Sequence, residues 1–131
     1  MLTLGRANVL AVNPEDHLRA AEELRASMAA LHPPHSNIRL YAEAGLGRAF
    51  HLLCFGADRR FRVHRDHHDG LPRWLRDRGE EEMAELLTEL DAIRMGRWYG
   101  RQGNGDTAER IDCLLAKAEE WAMARTGAAS P

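Results

Sequence analysis

Between positions 94 and 99 the chain sets two arginines and two large aromatics, Arg94, Arg97, Trp98 and Tyr99, within six residues. A guanidinium grips phosphate or carboxylate through paired N–H donors, and a Trp or Tyr ring offers a stacking face with a polar tip. These are the parts needed to hold a nucleotide or an RNA end. The competing reading is packing at a helix end, with both polar tips in water. A second concentration, His64, Asp66, His67, His68 and Asp69, has the ligand types of a zinc or other transition-metal site. His64 and His68 share a face only on a helix, whereas this segment falls between a helix end and the Gly70-Leu71-Pro72 turn. A solvated connection is therefore the preferred reading, and no metal or other cofactor is assigned. Residues 59 to 78 also hold seven arginines against three aspartates, but Glu80, Glu81 and Glu82 follow at once. Mutual neutralisation is favoured over a phosphate-facing patch.

The elements that must position these groups are helices. Met83, Leu86, Leu87, Leu90, Ile93 and Trp98 recur at helical spacing, which predicts a long amphipathic helix over 80–99. Its acidic start and its Arg94 and Arg97 end both suit the helix dipole. Upstream, Asn13 as cap and Pro14 at the first helical position open a helix that runs to about Leu31, before His32-Pro33-Pro34. A second helix, from about Ser36 to Gly56, is apolar around much of its circumference. Its Gly45 and Gly47 predict the close approach of a neighbouring helix. A short helix spans about Leu71 to Arg78. After the glycine-rich loop 100–105, Asp106 with Glu109 has capping-box spacing for a last helix to about Ala124, which buries Ile111, Leu114, Leu115 and Trp121. Residues 1–12 read as a short strand or an extended arm.

With 131 residues and a formal charge of −2, the chain is one domain's worth, a bundle over 13–125 with the arm before it, and it lacks the basic balance of a general nucleic-acid binder. Cys54 and Cys113 have no paired spacing, no apolar run approaches membrane-spanning length, and the N-terminus lacks the pattern of a signal peptide. A cytoplasmic protein with no membrane association is expected. The fold class expected is all-α, an antiparallel up-and-down bundle of four main helices plus one short helix.

The order of parts carries a resemblance. A first amphipathic helix precedes the tyrosine-led Tyr41-Ala-Glu-Ala-Gly-Leu-Gly-Arg-Ala-Phe50-His51. Then come His68-Asp-Gly70-Leu71, a Leu-rich helix ending in Arg94 with Tyr99-Gly100, and a closing Ala/Leu/Glu helix over 107–124. This resembles the HEPN family (higher eukaryotes and prokaryotes nucleotide-binding) over roughly residues 14 to 124. The resemblance implies a HEPN-like helical homodimer. It also implies either ribonuclease toxin activity, with a nucleotidyltransferase or antitoxin as partner, or non-catalytic binding of a nucleotide, RNA or protein. The family's ribonucleases place a histidine five residues after the arginine that Arg94 matches, and here that position is Tyr99. A phenol with a reference pKa of about 10 does not replace an imidazole near 6.5 in acid/base work at neutral pH. The expectation is thus a binding protein without ribonuclease chemistry, with Arg94 and Arg97 on phosphate and Trp98 and Tyr99 stacking. The alternatives are a toxin in which Arg94 and Tyr99 work alongside His51 or His68, and a purely structural interaction module.

Overall fold

The computed structural model describes residues 13–62, 70–96 and 104–124, and among them it is all helical with no strand. Five α-helices follow in order: α1 (Pro14–Ala29), α2 (Ile38–Phe61), α3 (Leu71–Asp77), α4 (Glu81–Arg94) and α5 (Asn104–Met123), with a 3-10 turn at Pro34–Asn37 before α2. None of the described helices is long and apolar enough to cross a membrane. The arm over 1–12 lies outside the described residues.

Local chemistry accounts for the helix starts and stops, and moves some of them from where the sequence pattern puts them. At α1 the Asn13 side chain accepts from the Asp16 N–H at 3.0 Å, while the Asp16 carboxylate accepts from the Asn13 N–H at 3.1 Å, a complete capping box. That arrangement holds the Asp16 carboxyl below its ordinary range, with the Arg19 guanidinium assisting. Helix α2 does not stop at Gly56. It continues to Phe61 and ends where Arg62 takes a left-handed conformation (φ 57°). Gly56 is instead a packing glycine, since a Cβ there would come within 2.6 Å of the Trp121 ring and 2.9 Å of the Ala122 Cα. Helix α4 ends at Arg94 rather than near Trp98. Gly96 follows at φ +75°, a left-handed conformation that suits a residue without Cβ just past a helix end. Helix α5 starts at Asn104, which puts Asp106 inside its first turn and not at its cap.

Helix α2 is the hub, with α1, α4 and α5 all packed on it. Contacts descend along one helix as they ascend the other between α1 and α2: His17 meets His51, Leu24 lies beneath Gly47, and Met28 lies beneath Gly45. Between α2 and α5 they ascend together, Tyr41 with Asp112, Arg48 with Glu119, and Gly56 against Trp121. These two helices therefore run side by side in the same direction. Helices α4 and α5 oppose each other, with Glu89 bound to Arg110 and Glu80 to Trp121. Leu53, Leu71, Leu75, Leu90, Ile111 and Leu115 fill the centre and are fully buried, each contributing about 1.5–3 kcal/mol of hydrophobic stabilisation.

Candidate functional site

Helices α2, α3 and α4 do not close on one another completely. Between them lies a cleft of about 610 Å³, within the size range of small-molecule sites. Its floor is apolar and comes from all three helices: Leu46 and Phe50, Leu71, and Leu87. Glu43 and Phe50 lie seven residues apart and so share one stripe of α2. Thr88, Asp91 and Arg94 bring the polar edge of α4 to the same opening. The short α3 contributes through its first turn, where Gly70 sits in a left-handed conformation (φ 76°) and lets the chain turn into Leu71 and Pro72.

The rim is built around Arg94. Its Nε and Nη2 donate to one oxygen of Asp91 at 3.1 and 2.7 Å, and its Nη1 lies 3.7 Å from the Glu43 carboxylate on α2. The hydrogen bond to Asp91 raises the Arg94 pKa, and the charge of Glu43 adds to the effect, so the guanidinium is cationic at every working pH. Its side chain is about one-third exposed. Such exposed pairs contribute little to stability, because solvent screens them. Two carboxylates face one guanidinium, so an incoming anion must displace Asp91 rather than fill an empty socket. Thr88 donates its hydroxyl proton to the Ala84 carbonyl at 3.0 Å, leaving its oxygen as an acceptor at the cleft.

Of the residues expected to act together, Arg94 is the one the described structure places. Arg97, Trp98 and Tyr99 lie outside the described residues, as do His64, His67 and His68. His51 is bound to His17 at 2.9 Å on the α1 side of α2. Among the described residues there is no group of three or more His, Cys, Asp or Glu side chains arranged to hold a metal ion. The sequence pattern did not single out Glu43, Phe50 or Asp91 as neighbours of Arg94. Glu43 and Phe50 are seven residues apart and so share a stripe of α2, but that spacing does not name α4 as the partner.

Other polar contacts join the helices to one another. Tyr41 donates its hydroxyl to Asp112, and burial, reinforced by that bond, pushes its phenol up to about 12. Arg110 grips Glu89 with both prongs at 2.6 and 2.8 Å. Arg60 donates to the Trp121 carbonyl at 2.7 Å and covers the indole ring at 4.2 Å, while the Trp121 N–H donates to Glu80 at 2.8 Å. Together they tie the ends of α2, α4 and α5 into one joint. No family model, no curated protein and no solved structure matches the chain.

Proposed function

We propose that this chain is a HEPN-like, non-catalytic helical protein that works as a homodimer and binds a nucleotide or an RNA end in the α2–α3–α4 cleft. The observation that carries the reading is the position of Arg94, a permanent cation at the rim of a nucleotide-sized cleft with an apolar floor. The base lies along Phe50, Leu46 and Leu87. A phosphate takes the place of the Asp91 carboxylate on the same guanidinium. This exchange costs little because the ion pair it breaks is exposed, and phosphate restores paired acceptors. The non-catalytic part rests on Tyr99 standing where the family's ribonucleases have histidine.

The test is a titration of the protein with a nucleoside triphosphate and with a short single-stranded RNA, in chelator at neutral pH. Arg94→Ala should weaken binding about tenfold or more. Asp91→Asn should tighten it, because the variant removes the anion that competes with phosphate. Uncleaved RNA is expected throughout. Binding indifferent to both substitutions would remove the cleft from the proposal. Cleavage abolished by Arg94→Ala would replace the binding role with the ribonuclease one.

A further inference from the structure

Where α1 crosses α2, a pair of imidazoles meets in a part-buried contact. His17, in the first turns of α1, is 3% exposed, and its Nδ1 lies 2.9 Å from the Nδ1 of His51 on α2. The ring centroids are 5.2 Å apart. That separation equals the nitrogen gap plus the two ring radii, so the nitrogens point straight at each other. A metal shared by both would need about 2.0–2.1 Å to each nitrogen, and a head-on gap of 2.9 Å leaves no room for it. The geometry is that of one N–H donating to one lone pair.

Proton bookkeeping then decides how the contact behaves. In the neutral pair one ring carries its proton on Nδ1 and the other on Nε2. A first added proton goes to the donor ring's far nitrogen, and the bond between the rings survives. A second must go to the accepting Nδ1. Two N–H groups and two positive charges then face each other in a part-buried contact, and the bond is lost.

The groups around the pair carry charge of both signs. Asp16, next to His17, acts on it electrostatically while held by the Asn13 N–H and Arg19. On α2, Arg48 sits one turn before His51, with its guanidinium donating to Glu119 at 2.8 Å. Asp58 lies two turns beyond His51 on the same stripe. Among the described helices, α1 packs substantially on α2 alone, and beside His17 it is held there by apolar residues, Leu18, Ala21, Leu24 and Met28.

We propose that the His17–His51 pair is an acid-sensitive latch that releases α1 from α2 when both imidazoles are protonated. The inference does not depend on what the cleft binds, although Gly47 and Phe50 lie both under α1 and in the cleft wall. An unperturbed imidazole titrates at about 6.5, and a second charge beside the first is taken up only at lower pH, so release belongs to the mildly acidic range.

Hydrogen exchange of the whole chain at pH 7.5 and pH 5, corrected for intrinsic rates, tests it. Amides of α1 should lose protection by about tenfold or more at pH 5 while those of α5 keep theirs. His51→Gln and His17→Gln each leave a single imidazole that still donates to the glutamine carbonyl when protonated. Either should remove the acid response of α1. Unchanged α1 protection in the wild type, an equal loss in α5, or an undiminished acid response in a folded variant would overturn the latch. The comparison of α1 with α5 needs no variant, so a substitution that fails to fold does not shield the proposal.

Discussion

The two sides of α2 are built differently. Toward α5 the helix is in close contact, with Gly45 and Gly56 admitting Ile111 and Trp121, and with Tyr41, Arg48 and Arg60 each bound across the seam. Toward α3 and α4 it leaves a cleft, spanned at its rim by the loose Glu43–Arg94 pair at 3.7 Å. Both sides use glycine and charge on the same helix, but one is closed by backbone approach and the other held open by side chains. Stability is therefore expected to follow the α5 seam and ligand binding the α4 side.

The largest expected effects lie in the core that both sides share. Leu115→Asp on the seam and Leu90→Asp on α4 each place a carboxylate at a site 2% or less exposed. An unpaired buried charge costs several kcal/mol against a total stability of about 5–15, so both variants should lose the cooperative melt in circular dichroism. A retained melt in Leu115→Asp would show that the seam is not the stabilising side.

A smaller and sharper test compares two glycines. Gly56→Ala brings a Cβ to 2.6 Å from the Trp121 ring and 2.9 Å from the Ala122 backbone, and forcing those apart should cost about 1–3 kcal/mol. Gly47→Ala meets only the end of the Leu24 side chain, at 3.1 Å. That side chain can shift, and alanine gains about 1 kcal/mol in helix propensity, so denaturant midpoints should separate the two variants clearly. Equal losses would mean that the α1 contact is as rigid as the α5 contact.

The smallest effect is expected at Tyr41. Tyr41→Phe removes the bond to Asp112 and should cost about 1 kcal/mol. In the wild type burial, reinforced by the bond to Asp112, raises the Tyr41 phenol from its ordinary 10.0 to about 12. A group raised in the folded state contributes stability that is complete below its unfolded pKa and fades as pH climbs to the folded one, so this contribution should disappear between about pH 10 and 12. Ultraviolet titration of the phenols should show a late-ionising tyrosine that is absent in Tyr41→Phe; a phenol titrating at its ordinary value would contradict the seam's tightness.

Helix identity was legible along most of the chain because apolar residues at three- and four-residue spacing produce an amphipathic face whatever it packs against. Leu86, Leu87, Leu90 and Ile93 are buried where that spacing puts them, and Asn13 and Pro14 open α1 because capping is settled by neighbouring residues alone. Helix ends were less legible. Gly56 carried the local signature of a stop, yet its role depends on Trp121, distant in the chain, whose ring occupies the space where a side chain would be.

The site divides in the same way. The sequence alone determined the chemical character of Arg94, a cation in the last turn of an amphipathic helix, since both its charge and its helical position are local properties. Only the tertiary structure decided that Asp91 and Glu43 hold it, that Phe50 and Leu87 share a cleft beside it, and that His17 faces His51 across two helices. The physical reason is that periodicity defines which stripe of a helix is apolar or charged, but leaves open which stripe of which other helix it meets. Here that was settled by where glycines let backbones approach and where larger side chains kept them apart.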